Sequence, residues 1–231
     1  MRQWLCINAI SAQISKTLLL ILLDKMKKYL FIVLLFFCFN SFGQISVLKV
    51  DPLKLPKELK YSGKIKNCVK WSDNLGVNYL ITTETGAYSL RNQEDEDFRN
   101  ADLYAYHYVT NGDNLKLLWT IHDFTEDCSV DLYVRFISKA FNITDLDKNG
   151  VAEVWVMYEN QCTSDVSPGP TKIIMYENTK KYALRGFSKV KVSQSKYEGG
   201  NYTLDDSFKT GNSLFKQFAI NLWEKNKMKE W

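Results

Sequence analysis

Histidine is scarce in this 231-residue chain: there are two, His107 and His122. Neither belongs to an HExxH pair, and the chain has no Gly-x-Ser-x-Gly elbow and no glycine-rich phosphate loop, so the enzyme classes recognisable by such spacing are excluded. Both histidines fall in predicted strands, where a lone imidazole is ordinarily structural. Charge of one sign is also lacking. The formal charge is +4, from 30 basic and 26 acidic side chains, but residues 1–43 hold five of the basic ones and one of the acidic ones. The remainder is balanced at 25 of each, so no basic field is available to neutralise phosphates, and nucleic acid is excluded as a partner. No repeat of fixed period and no low-complexity linker interrupts the chain. Residues 44–231 therefore read as one domain, long enough to bury about 70% of its unfolded surface.

What is present begins with an address. From Met26 the chain reads MKKYLFIVLLFFCFNSFGQ, with Lys27 and Lys28 as a positive start, eleven apolar residues from Tyr29 to Phe39, and small residues at Ser41 and Gly43. That order is a secretory signal peptide over 26–43, cut before Gln44. Its apolar stretch is too short to cross roughly 30 Å of hydrocarbon as a helix. Residues 1–25 read as a spurious upstream extension; the alternative is a single anchor over Leu18–Phe39, which the charges at 24–28 oppose. The expected location is outside the cytoplasm, in the periplasm, on the outer surface or secreted, with no transmembrane span in the mature chain.

Beyond the cut, apolar runs alternate with turn chemistry, which predicts a mainly β (α+β) protein. Residues 64–71 and 77–83 flank Ser72, Asp73, Asn74 and Gly76 as a hairpin, and Leu103–Val109 and Leu115–His122 form a second around Asn111-Gly112. The Glu94–Asp97 run between them reads as a solvated loop. Tyr104, Tyr106 and Tyr108 share one strand face; such a ladder either stacks on sugar rings or is half-buried sheet surface. Asp131–Ile143 reads as one long strand, with Leu132, Val134 and Phe136 on one face and Ile137, Phe141 and Ile143 on the other, so its sheet is expected to be covered on both faces. Ala152–Glu159, Lys172–Glu177 and Tyr182–Phe187 complete an antiparallel meander. At 212–229 the period changes: Leu214, Phe215, Phe218, Leu222 and Trp223 mark one amphipathic helix capped by Asn212 or Ser213, which docks on the sheet or lies on a membrane surface.

Three cysteines remain after residue 43, so at most one internal pair forms. If 115–122, 131–143 and 152–159 are consecutive antiparallel strands, Cys128 and Cys162 lie in neighbouring loops at one end of the sheet. The expected disulfide is therefore Cys128–Cys162, with Cys68 free and buried within a strand.

Residues 145–153 concentrate the chemistry. Oxygen side chains stand at positions 1, 3, 5 and 9 (Asp145, Asp147, Asn149, Glu153), with Gly150 at position 6 and the Val151 carbonyl at position 7, which is the donor set of a calcium loop. The twelfth position is Val156 and the flanks are strands, unlike an EF-hand. The loop resembles the DxDxDG loops joining strands in calcium-binding β-propeller blades, which makes a propeller-like arrangement one expectation for the fold. The competing reading is a polar Asn-Gly hairpin turn.

Taken together, DLDKNGVAEV, Cys162-Thr-Ser-Asp165-Val-Ser167-Pro168, Lys172-Ile-Ile-Met175, Lys181-Tyr182-Ala-Leu-Arg185-Gly186 and Leu222-Trp223 resemble a family of small exported bacterial proteins labelled surface polysaccharide biosynthesis proteins. The resemblance implies a role in making or displaying cell-surface glycan and leaves the reaction, if any, unstated. Two functions follow from it. One is a non-enzymatic, calcium-stabilised β protein that binds surface glycan or a cell-envelope protein. The other is a glycan-modifying hydrolase or transferase using acids near the loop, with Asp165 and Arg185 as candidates.

Overall fold

The computed structural model of the chain describes Lys25, Lys27 and residues 45–89, 98–112 and 114–229. The signal-peptide reading, the upstream extension and the Glu94–Asp97 run lie essentially outside these residues. The chain divides into two units, 1–43 and 44–231, and every element below belongs to the second. The strands are β1 Leu48–Lys49, β2 Lys64–Asp73, β3 Gly76–Glu84, β4 Arg99–Asn111, β5 Asn114–Cys128, β6 Asp131–Phe136, β7 Asn142–Thr144, β8 Glu153–Thr163, β9 Pro170–Glu177, β10 Lys180–Phe187, β11 Lys189–Lys191, β12 Tyr197–Gly199 and β13 Tyr202–Leu204. Two helices follow, α1 Asp206–Thr210 and α2 Ser213–Asn226. No described helix is long and apolar enough to cross a membrane.

Two antiparallel sheets hold nearly all of the strands. The first is the meander β1-β2-β3-β4-β5; the second runs β13-β10-β9-β8-β6, with β7 also paired to β8. Their facing surfaces share one core: Val69, Trp71, Leu80, Leu103 and Ile121 from the first meet Val134, Val154, Val156 and Ile174 from the second. Side chains alternate along a strand, so Trp155, Met157, Ile173, Met175 and Leu184 emerge on the opposite side of the second sheet. There they bury Phe208 of α1 and Phe215, Ala219, Leu222 and Trp223 of α2, so the C-terminal helix docks on the sheet. The outer side of the first sheet is partly covered by the stretch before β2, where Leu59 packs on Cys68, Ile81 and Tyr108. The described strands therefore form an open, layered sandwich with no closed barrel and no propeller.

Two strand readings change. Residues 131–143 are not one strand: a 3-10 turn at Ser138–Ala140 separates β6 from β7. Both pieces pair with β8, Phe136 opposite Tyr158 and Asn142 opposite Trp155, so five residues span two positions of the partner. That excess resets the alternation. Phe141 and Ile143 rejoin Leu132 and Phe136 in the core between the sheets, and only Ile137 packs toward the helices. The sheet is nonetheless covered on both faces, as both apolar patterns require. Second, β5 and β6 are not partners, because the chain leaves the first sheet after Cys128 and enters the second at Asp131. The Cys128–Cys162 disulfide, with a Cα–Cα distance of 5.7 Å, consequently staples one sheet to the other. Cys68 is free and buried, and burial pushes its thiol up to about 11, which keeps it unreactive.

Candidate functional site

The 145–153 loop closes the β7–β8 hairpin, whose last register pair is Thr144 with Glu153. Lys148 and Gly150 take positive φ, 59° and 78°, and these left-handed residues turn the chain inward. Carboxylate oxygens of Asp145, Asp147 and Glu153 lie within 4.8 Å of one another. Glu153 is fully buried; it accepts bonds from the Thr144 hydroxyl at 2.6 Å and from the Leu146 N–H at 3.0 Å. Burial raises its carboxyl above the usual range, opposed by those two bonds and reinforced by the charges of Asp147 and Asp145. Asp145 Oδ2 accepts the Gly150 N–H at 3.2 Å, whereas its Oδ1 is buried with no hydrogen-bond partner. The Asn149 amide donates to Asp147 at 3.2 Å and to Glu177 at 2.6 Å, and its Oδ1 accepts the Val151 N–H at 2.8 Å.

Residues that spacing did not single out hold this loop. The Asn74 N–H and side-chain amide donate to the carbonyls of Gly150 (2.8 Å) and Asn149 (3.0 Å), while Asp73 accepts the Ala152 N–H at 3.1 Å. The β2–β3 turn of the first sheet thus docks onto the acidic loop of the second. The only sequence signal for this was the turn chemistry of Asp73 and Asn74, which does not say what a turn touches.

The tyrosine ladder divides along β4. Tyr108 is buried, and its hydroxyl donates to the Lys60 carbonyl at 2.6 Å and accepts the Lys60 N–H at 3.2 Å; Tyr106 accepts the Ser62 N–H at 3.2 Å. Beyond that cover, Tyr106, Tyr104, His122 and Phe124 form a row of rings with successive centroid spacings of 5.7, 4.4 and 5.3 Å. Phe124 is 46% exposed. Asp102 anchors the row by accepting bonds from His122 Nε2 (2.6 Å), the Tyr88 hydroxyl (2.7 Å) and the Tyr104 hydroxyl (3.3 Å). Burial raises the Asp102 carboxyl, but the bonds from His122 and Tyr88 outweigh it and hold the group below the usual carboxylate range. The same bond pushes the Tyr88 phenol up to about 12. His107 is different: it is buried between Trp71 and Trp119, bonded to Asn78 at 2.8 Å, and burial pushes it down to about 4, so it is neutral.

Asp165 and Arg185 do not join the loop. Asp165 lies in the exposed turn after β8, where bonds from Ser167 and then Thr163 hold its carboxyl low. The loop precedes the other end of that 11-residue strand, about 33 Å away. Arg185 sits within β10, opposite Lys172. Asp165 and Arg185 therefore stand apart from the three clustered carboxylates of the loop. Comparison with family models, with curated proteins and with solved structures finds no match.

Proposed function

We propose that this protein is an exported, non-enzymatic glycan-binding module of the cell envelope, serving the synthesis or display of surface polysaccharide. The observation that carries the reading is the Tyr106–Tyr104–His122–Phe124 row held by Asp102. Pyranose rings present C–H faces to aromatic rings and hydroxyls to a carboxylate. Tyr104 and His122, stacked on each other and both bonded to Asp102, are already ordered, so a sugar landing on them pays little rotamer entropy. Calcium fits the 145–153 loop as a structural strut. The donors are oxygens, three of them carboxylates, and the buried Asp145 Oδ1 lacks the partner that a cation would supply. Asp145, Asp147 and Glu153 would hold the ion, with Asn149 and the Val151 carbonyl completing the set. Bound there, it neutralises the crowded carboxylates and rigidifies the loop against the β2–β3 turn.

The test is a glycan array and NMR titration with surface polysaccharide fragments, comparing wild type with Phe124→Ala and Tyr104→Ala. Binding weakened by about 0.5–1.5 kcal/mol per ring removed supports the reading. Turnover of the polysaccharide, or no binding at millimolar ligand, overturns it.

A further inference from the structure

A different face of the molecule carries the surface least explained by folding. The register places Tyr158 of β8, Lys172 of β9, Arg185 of β10 and Thr203 of β13 in one row across the second sheet. Period-two alternation points this row toward the first sheet, as it does Ile174 and Ala183 nearby. The first sheet covers only the beginning of the row. Its β5 supplies Asp123, which accepts the Tyr158 hydroxyl at 2.9 Å and pairs with the Lys172 ammonium. Farther along, Arg185 and Thr203 are exposed, and the neighbouring pair, Pro170 with Phe187, is exposed too. Together with Asn201 and Tyr202 these residues line a cavity of about 280 Å³.

The charges there are unbalanced. Asp123 is matched to Lys172, whereas the Arg185 guanidinium makes no ion pair or hydrogen bond among the described residues, and Lys181 on the same strand adds a second positive charge. A cationic fork standing beside an exposed Phe187 contributes nothing visible to the core. We infer that this face is a second binding site, for a carboxylate-bearing sugar such as a hexuronate unit. The Arg185 fork matches a planar carboxylate with two parallel N–H donors, Lys181 on the same strand face adds positive potential, Phe187 and Pro170 offer an apolar floor to the sugar ring, and Thr203 and Asn201 offer partners for hydroxyls. The cavity is just below the range of about 300–1,000 Å³ typical of drug-sized ligands, which suits one acidic sugar unit. The inference does not depend on the Tyr104 face, since no residue is shared.

The test titrates digalacturonate into the full protein, followed by NMR and calorimetry, beside cellobiose and inorganic phosphate. Expected are digalacturonate-specific shifts at residues 170–172, 185–187 and 201–203, no shifts at those residues with cellobiose, and affinity at this face lowered about ten- to a hundredfold in Arg185→Gln. Arg185→Lys keeps the charge but not the fork and should restore little of it. Tyr104→Ala, at a residue that does not line this cavity, should leave the digalacturonate shifts at residues 170–172, 185–187 and 201–203 unchanged, so failure of one site is separable from failure of the other. Because Arg185 is exposed, unchanged melting temperatures are expected for both Arg185 variants. Equal affinity for phosphate, full rescue by lysine, or no digalacturonate binding would each overturn the assignment.

Discussion

Replacing Gly150 by alanine tests whether the acidic loop is locked by its contact with the opposite sheet. Gly150 has φ 78°, and a Cβ built there would fall 2.2 Å from the Asn74 side-chain nitrogen. Two penalties follow. A left-handed alanine costs about 1–2 kcal/mol. Driving Asn74 aside also breaks its 3.0 Å bond to the Asn149 carbonyl, a solvent-exposed bond worth about 0.5–1 kcal/mol. The sum is about 2 kcal/mol, which for a domain of this size lowers the melting temperature by about 4–8 °C. Because the clash is with a side chain, Asn74→Ala should relieve it. In that background Gly150→Ala should cost only the conformational part, leaving a coupling of about 0.5–1 kcal/mol in a double-mutant cycle. Urea denaturation of the four proteins measures each corner. If Gly150→Ala costs under 0.5 kcal/mol, the left-handed turn is wrong; if it costs the same with and without Asn74, the docking of the two sheets through this loop is wrong.

Calcium should stabilise the protein by about 2.7 kcal/mol at one hundred times its dissociation constant, reversibly on chelation, and Asp147→Ala should abolish the shift; a melting curve indifferent to millimolar calcium refutes the site. Glu153 has a raised carboxyl when folded, so in the calcium-free protein its contribution is present below the ordinary carboxylate pKa and is lost as pH rises through the raised value. Glu153→Gln should therefore flatten that loss in calcium-free melts while weakening calcium binding in calorimetry. Reducing the Cys128–Cys162 bridge, with a sequence separation of 34, should cost about 4 kcal/mol in the chain-entropy model, read from denaturation with and without reductant. His107 works in the opposite sense to Glu153: its folded pKa of about 4 lies below the unfolded 6.5, so stability present above pH 6.5 falls by roughly 3 kcal/mol as pH drops toward 4. His107→Gln should remove most of that slope in urea midpoints between pH 7 and 4.

Local chemistry was sufficient for much of the architecture. Turn residues flanked by period-two apolar runs located the β2–β3 and β9–β10 hairpins within about two residues and the turn of β4–β5, whose strands continue beyond the predicted Leu103 and His122 to Arg99 and Cys128, and the 3.6-residue period located α2, because both signals are set by neighbours in the chain. The oxygen spacing of 145–153 likewise predicts where three carboxylates meet, since one loop supplies them all. What local pattern could not decide is which sheet a strand joins. Asp131–Ile143 alternates well enough to be one strand, and only pairing with β8 forces the 3-10 turn that returns Phe141 and Ile143 to the central core. The fate of each tyrosine was equally non-local: Tyr108 is a core residue because residues 59 and 60 come back to cover it, while Tyr104 stays at the surface beside a histidine 18 positions away. Lys172, Arg185 and Thr203 become one row only through cross-strand register, and β5, the strand that brings Asp123 to Lys172, is the edge of the first sheet, so Arg185 and Thr203 stay exposed. Hairpins, helix and loop follow from rules that act over a few residues; sites made of side chains from several strands depend on packing between layers, which no window along the chain contains.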